Sequence, residues 1–312
     1  MNYFERALEL AERGRGKVDD HPLVGAVVVV DDEVVGEGWY EYAAVDHAEA
    51  RALAQAGDRA RGATLYVTLE PCAHQGRTPA CTEAVIDAGV ARVVVGALDP
   101  NPVAAGGLER LRAAGIEVEL LESDDARRQN EAWRTWKALC RPFVTYKAAV
   151  TLEGRVSLPG SRWISGEASR HLVHELRAAS DAVAVGMGTV RADAPGLDAR
   201  DVEVERQPRR IAFGRGPLPA GSELELRSGP LDDELRALAA EGVQSLLLEG
   251  GPTLASAFFE GGLVDKLLLF IAPVSGGVGL RFVDATVELD LSDFAIRRVG
   301  EDILLEAYVH RV

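Results

Sequence analysis

In the first 121 residues, apolar runs of strand length alternate with amphipathic segments of helix length, and this alternation limits the chain to an α/β architecture. VGAVVVV (24–30) has the look of a buried strand, EVVGEGW (33–39) reads as a second after an Asp-Asp turn, and ATLYVTLE (63–70), ARVVVGALDP (91–100) and IEVELL (116–121) read as a third, fourth and fifth. Between them, residues 3–13 carry Phe4, Leu8 and Ala11 at helical spacing, EARALAQAG reads as a helix closed by Gly57, and TEAVIDAG and GLERLRAAG read as further helices. The expectation is a three-layer α/β domain.

Residues 124–139, DDARRQNEAWRTWKAL, read as one polar helix with Trp133 and Trp136 on one side. CRPF then stops it, because Pro142 cannot continue a helix and biases Arg141 toward extended geometry. The boundary is therefore set at about 141, giving domains 1–141 and 142–312. The second repeats the α/β pattern: strands at FVTYKAAV, DAVAVG, RRIAFG, SLLLEGG and KLLLFIAP, helices at 167–179, 231–241 and 253–261, and polar connections at 198–208 and 215–230. A chain of 312 residues is long enough for two such cores.

With 49 acidic against 34 basic residues and a net charge of -15, the chain has no basic run for a phosphate backbone, so a small-molecule substrate is expected and nucleic acid is not. No apolar run approaches the length of a membrane span. The N-terminus MNYFERALELAERGRG has no apolar signal core, so a cytoplasmic protein is expected. Three cysteines, an odd count without an export signal, argue against a disulfide framework.

Two of those cysteines, Cys72 and Cys81, bracket PCAHQGRTPAC, and HAEA at 47–50 precedes them. Inside a helix, residues two apart diverge by about 200 degrees, so His47 and Glu49 can share a site only at a helix start, which EARALAQAG provides. One imidazole and two thiolates suit zinc, with the fourth tetrahedral position left to a water that titrates near neutrality. On residue type alone two other readings stay open: a closed structural clip with His74 as fourth ligand, and inert buried cysteines. Cys140 has no partner pattern. In the second half, SLLLEGGPTLASAFFEGGLVDKL reads as strand, glycine turn and helix, which suits a pyrophosphate at the helix N-terminus or an ordinary tight turn.

His-x-Glu followed by Pro-Cys and a second Cys is shared with nucleobase-type deaminases, in which the Glu shuttles protons and is not a ligand. Eight residues between the cysteines, together with GATLYVTLEPC, AGVARVVVGALDPNP and AAGIEVE, make the first half similar to the deaminase domain of the bifunctional riboflavin-biosynthesis deaminase-reductase family. KAAVTLEGR, SRWIS and GTVRADAPGL resemble that family's reductase domain. The resemblance implies a cytidine-deaminase-like N-terminal domain and a dihydrofolate-reductase-like C-terminal domain, with Zn2+ and NADPH as cofactors. It implies zinc-hydroxide deamination of 2,5-diamino-6-(5-phosphoribosylamino)pyrimidin-4-one, then reduction of the ribosyl group to ribityl, in a homo-oligomer.

Carried over by position, the resemblance assigns zinc to His47, Cys72 and Cys81, proton transfer to Glu49, and deaminase substrate contacts to His21, His74 and Arg77. It assigns the ribosyl phosphate substrate to Ser161, Arg177, Leu197, Arg200 and Glu249. The cofactor falls to Ala149, Trp163, Ser165, Thr189 and Asp193, and to the turn Gly251, Pro252, Thr253 and Leu254. Three positions depart from the family pattern. His21 stands where an Asn is usual, Glu153 where an Asp is usual, and AFGRG at 212–216 lacks the usual Asp-Ser or Asp-Thr after its strand. A member with one active domain and a zinc-clipped binding module therefore remain alternatives.

Overall fold

The computed structural model describes residues 2–76, 78–204, 206–284 and 286–309. The chain divides after Ala138 into two units.

The first unit runs α1 (Tyr3–Glu12), β1 (Gly25–Val30), β2 (Glu33–Trp39), α2 (Ala48–Ala56), β3 (Thr64–Leu69), α3 (Cys81–Ala88), β4 (Arg92–Ala97), α4 (Gly107–Ala113), β5 (Glu117–Leu120), α5 (Asp124–Gln129) and α6 (Glu131–Leu139). The sheet order is β2-β1-β3-β4-β5, with β1 antiparallel to both neighbours and β3, β4 and β5 parallel. Because strand side chains alternate, β1 feeds two cores. Ala26 and Val28 pack with Ala48 and Ala52 of α2 and Leu111 of α4, while Val27 and Val29 pack with Ala7 and Leu10 of α1. This is the expected three-layer arrangement.

The segment 124–139 departs from expectation: it is two helices broken at Asn130. The buried Asn130 carboxamide accepts from the Leu23 amide and donates to the Leu23 carbonyl, each at 2.8 Å. A polar side chain committed to a backbone 107 residues away leaves no periodic trace in the sequence.

The second unit contains β6 (Phe143–Val150), β7 (Arg155–Ser157), α7 (Glu167–Ala178), β8 (Ala182–Gly186), α8 (Met187–Asp193), β9 (Arg209–Phe213), β10 (Glu225–Arg227), α9 (Leu231–Ala240), β11 (Ser245–Leu248), α10 (Pro252–Glu260), β12 (Lys266–Ile271), β13 (Val278–Arg281), β14 (Ser292–Val299) and β15 (Asp302–Tyr308). The main sheet is ordered β10-β9-β8-β11-β6-β12-β15-β14. It is parallel from β10 to β12 and ends in the antiparallel β14–β15 hairpin. Arg141, buried, reaches both Asp265 oxygens at 2.7 Å, and the same carboxylate accepts from the Val144 amide, which fastens the start of β6. The stretch 215–230, expected to be a connection, contains the edge strand β10, too short to show a period. No helix of the described residues is long and apolar enough to cross a membrane.

Candidate active sites

In the first unit, three chain segments converge on one point. His47 is the N-cap of α2, with Glu49 in its first turn; Cys72 follows β3; Cys81 is the first residue of α3. A Cβ on Gly38 would overlap the Ala48 carbonyl, so glycine in β2 lets the start of α2 lie directly on the sheet. Three contacts hold the cysteine segments together: the Cys81 amide to Cys72 Sγ at 3.3 Å, and the Thr82 amide and hydroxyl to the Cys72 carbonyl at 3.2 and 3.3 Å.

The donor atoms of His47, Cys72 and Cys81 all lie within 4.8 Å of one another. His47 Nδ1 stands 3.0 Å from Cys81 Sγ and 3.7 Å from Cys72 Sγ. These separations bracket the roughly 3.6 Å N···S edge of a tetrahedral zinc site, so the donors fit that ion in chemistry and in size. Hydrogen bonding from Cys81 holds the Cys72 thiol well below the usual thiol range, and the same contact, with burial, pushes Cys81 up. The thiolate of Cys72 holds the His47 pKa up. Among the described residues, His74 is not part of the donor cluster, which leaves the closed four-ligand clip without its fourth member.

His47 and Cys72 line a cavity of about 220 Å³, together with Glu49, His21, His74, Asp99 and Asn101. Burial raises the Glu49 pKa. His21 is held in ring contact with Tyr40 and Tyr42, with Nδ1 2.8 Å from Asp20 Oδ1 but not aligned for a hydrogen bond. His74 Nδ1 is buried with no hydrogen-bond partner among the described residues. Arg77 lies outside the described residues. Asp99 was not apparent from sequence. Burial, and Glu70 nearby, push its carboxyl up to about 6.

Glu70, read only as the end of a strand, organises this wall. Its carboxylate accepts from the amides of Asp99, Gly106 and Leu108 at 3.1 to 3.2 Å, tying the 99–108 loop to the strand that leads into Cys72.

The second unit has a larger cavity, about 980 Å³, lined by Ala149, Trp163, Ser165, Arg177, Thr189, Asp193, Arg200, Glu249 and the turn from Gly251 to Leu254. Two expected residues do not reach it. Ser161, outside the lining, donates to the Trp163 carbonyl at 2.6 Å, and the Leu197 side chain is buried in a core with Val183 and Val185. Glu153 likewise stays outside, accepting from Thr151 Oγ1 at 2.7 Å and the Gly276 amide at 3.2 Å. Arg177, expected as a substrate contact, lines the cavity with Nε and Nη2 on Glu249 at 2.6 and 3.0 Å. Arg200, largely exposed and 3.5 Å from Asp198 Oδ2, lines the cavity as well.

Sequence reasoning missed Lys147 and His174, both lining this cavity. Lys147 alternates with Ala149 on one face of β6, the one signal that pointed to it. Its Nζ lies 3.9 Å from Glu249, and burial lowers its pKa; burial also lowers that of His174. Burial alone would raise Glu249, but Lys147 and Arg177 outweigh it and hold the carboxylate ionised.

A dinucleotide fits the floor of this cavity. Parallel neighbours β8 and β11 each lead into a helix through glycine, β8 through its last residue Gly186 and β11 through Glu249, Gly250 and Gly251, and a Cβ on Gly250 would come within 2.9 Å of Leu254 Cδ2 in the first turn of α10. Amides at that helix start are suited to a pyrophosphate.

Comparison with known proteins agrees with both geometries. Residues 142–305 match the family model of the RibD C-terminal domain, and residues 1–97 match that of the cytidine and deoxycytidylate deaminase zinc-binding region. The riboflavin biosynthesis protein RibD of Aquifex aeolicus is 40% identical, with 97% of each chain covered. The chain belongs to the RibD family. Acinetobacter baumannii RibD (form 2) superposes with a TM-score of 0.82 at 36% identity, covering 99% of this chain and 98% of that one. A Thermotoga maritima structure described as a diaminohydroxyphosphoribosylaminopyrimidine deaminase/5-amino-6-(5-phosphoribosylamino)uracil reductase gives 0.82 at 33% identity, with the same coverage. As a RibD protein the chain is a bifunctional enzyme of riboflavin biosynthesis, a zinc-dependent deaminase joined to a reductase that uses NADPH.

Proposed function

We propose that the residues up to about 141 remove the 2-amino group of 2,5-diamino-6-(5-phosphoribosylamino)pyrimidin-4-one by hydrolysis, and that those from 142 onward reduce the ribosyl group of the product to ribityl. The observation that carries this reading is the convergence of His47, Cys72 and Cys81 beside buried Glu49 in a cavity of ring size.

Zinc held by His47 Nδ1, Cys72 Sγ and Cys81 Sγ supplies the Lewis acidity that makes water nucleophilic near neutral pH. Glu49, shielded from bulk solvent in the first turn of α2, would take the first proton of the attacking water on a carboxylate oxygen and give it to the ring nitrogen, then carry the second, from the hydroxyl added to the ring carbon, to the amine as the C–N bond breaks and the carbonyl forms. His21, His74 and Asn101 line the walls and offer hydrogen bonds to the ring.

In the second unit NADPH supplies a hydride. The Gly251–Leu254 turn supports the pyrophosphate, and Arg200 faces the substrate phosphate. Reduction consumes one proton with the hydride. Lys147 Nζ, buried 3.9 Å from the Glu249 carboxylate and lining the cavity, is the donor this reading assigns to that proton.

A homo-oligomer is part of this reading, supported by the C-terminal hairpin, where Phe294, Ile296 and Ile303 stand 60%, 68% and 47% exposed. So is a cytoplasmic location, where a two-thiolate zinc site stays reduced.

The test follows ammonia and NADPH oxidation separately after the diaminopyrimidinone phosphate is added, with and without NADPH. Both signals are expected, ammonia first. Ammonia release with no NADPH consumption would rule out the two-reaction reading.

A further inference from the structure

The 212–216 stretch, set apart in the sequence because it lacks the family's usual acid, forms one end of the reductase cavity. That cavity follows the C-terminal ends of five parallel strands in sheet order: Lys147 on β6, Glu249 after β11, Gly186 after β8, Gly214 and Arg215 after β9, and Ser228 after β10. At about 4.8 Å per strand the lining spans roughly 19 Å, the reach of an extended dinucleotide with substrate at one end. A nicotinamide delivering hydride beside Lys147, with its pyrophosphate at the Gly251 turn, puts the adenosine ribose at β9 and β10.

The turn there is built to expose charge. Gly214 and Gly216 have φ of 132° and 109°, a region side chains avoid, and they carry Arg215 between them. Three contacts fix the turn: the Gly214 amide to the Arg227 carbonyl at 2.9 Å, Ser228 Oγ to the Gly214 carbonyl at 2.9 Å, and Arg191 Nη2 to the Arg215 carbonyl at 2.7 Å. The nearby acids are already neutralised: Glu241 pairs with Arg209 and Arg227, Glu234 with Arg227, and Glu223 with Arg210. Among the described residues, neither Arg191 nor Arg215 has a carboxylate partner, although acids outnumber bases by 15 in this chain. Asp193, the unpaired acid of the lining, sits at the far end of α8 from Met187, the residue that packs on Gly214.

Resting on the reductase reading, we propose that Arg215 and Arg191 bind the adenosine 2′-phosphate and so select NADPH over NADH. Arg215, in the cavity lining, and Arg191, behind it with Nη2 on the Arg215 carbonyl, supply the charge-assisted donors that a phosphate dianion requires and a free hydroxyl does not.

The test is calorimetric titration of the full-length protein with 2′,5′-ADP and with 5′-AMP, for the wild type, Arg215→Ala and Arg191→Ala. Both arginines are exposed, so the variants are expected to keep the wild-type melting temperature. The wild type is expected to prefer 2′,5′-ADP by about tenfold or more, the scale of a charge-assisted contact. Arg215→Ala should bring the two affinities to within about threefold by weakening only 2′,5′-ADP, with a smaller loss in Arg191→Ala. A preference that survives in both variants, or a wild type that does not discriminate, overturns the inference while leaving the reductase reading intact. Failure of the wild type to bind either nucleotide or NADPH overturns both.

Discussion

Arg177 presents Nε and Nη2 to the two oxygens of Glu249 at 2.6 and 3.0 Å and donates Nη1 to the Asp198 carbonyl at 3.0 Å. With Lys147 on the same carboxylate, the floor of the reductase cavity is a buried group of one anion between two cations. Removing one partner of such a pair leaves the others desolvated and uncompensated, at a typical cost of about 3–5 kcal/mol.

Arg177→Ala is therefore expected to lower the melting temperature and to cut NADPH oxidation by about a hundredfold or more through misplacement of Glu249 and Lys147. Arg177→Lys keeps the charge but not the bidentate geometry and should recover only part of the rate. Ammonia release, which depends on the other unit, should continue in both. Loss of both activities together would mean that the effect is on folding of the whole chain.

Glu49→Gln keeps size and removes the proton carrier. The variant is expected to retain zinc, measured by plasma mass spectrometry, and to lose ammonia release by about 10²–10⁴-fold, the scale of general acid-base catalysis. Cys72→Ser and His47→Ala should lose metal and activity together. Full activity in Glu49→Gln would remove Glu49 from the chemistry.

The difference between Glu49 and Arg177 shows what was legible in the sequence. His47 and Glu49 lie in one helix start, and caps and first turns are local, so their convergence follows from three residues of spacing. Arg177 and Glu249 are 72 residues apart, and nothing in either segment says which arginine faces a phosphate and which a carboxylate. Lys147 is one charge in the strand run FVTYKAAV whose partner, Glu249, lies 102 residues on, and the helix break at Asn130 depends on Leu23. The strands with buried apolar runs were readable. The short edge strand β10 and the hairpin β14–β15, whose exposed residues follow no core pattern, were not.

Asp99 gives the deaminase unit a pH dependence. Burial raises its carboxyl to about 6, so the folded chain holds this proton more tightly than the unfolded one. The associated stability is complete below the unfolded value and is lost as pH rises through about 6, up to about 3 kcal/mol at 1.36 kcal/mol per unit. Asp99→Asn, which keeps an acceptor for the Asn101 amide, should raise the melting temperature at pH 8 and show a gap about half as large at pH 5. A gap that does not change with pH would assign the gain to something other than this ionisation.

The exposed hairpin makes a prediction about assembly. Ile296 and Leu305 face each other across β14 and β15, and Ile303 lies opposite Arg298 on the same side, so one charge placed at Ile296 falls within the apolar face. Ile296→Glu is expected to shift the protein to monomer in sedimentation velocity. An unchanged sedimentation coefficient would locate the contact elsewhere.

Gly107, the first residue of α4, links backbone packing to the metal centre. A Cβ added there would overlap the Pro71 carbonyl, and Pro71 immediately precedes Cys72. Because the obstruction is backbone rather than a flexible side chain, relief requires α4 or the Pro71–Cys72 segment to move, and Glu70 ties the two together through the Gly106 and Leu108 amides. Gly107→Ala should therefore displace Cys72 from His47 and Cys81, lowering zinc affinity in a competition titration by about 10–100-fold, the range seen when support for a ligand is disturbed. NADPH binding, confined to the second unit, should be unchanged. Wild-type zinc affinity in this variant would show that α4 yields instead and that Cys72 is held by its contacts with Cys81 and Thr82.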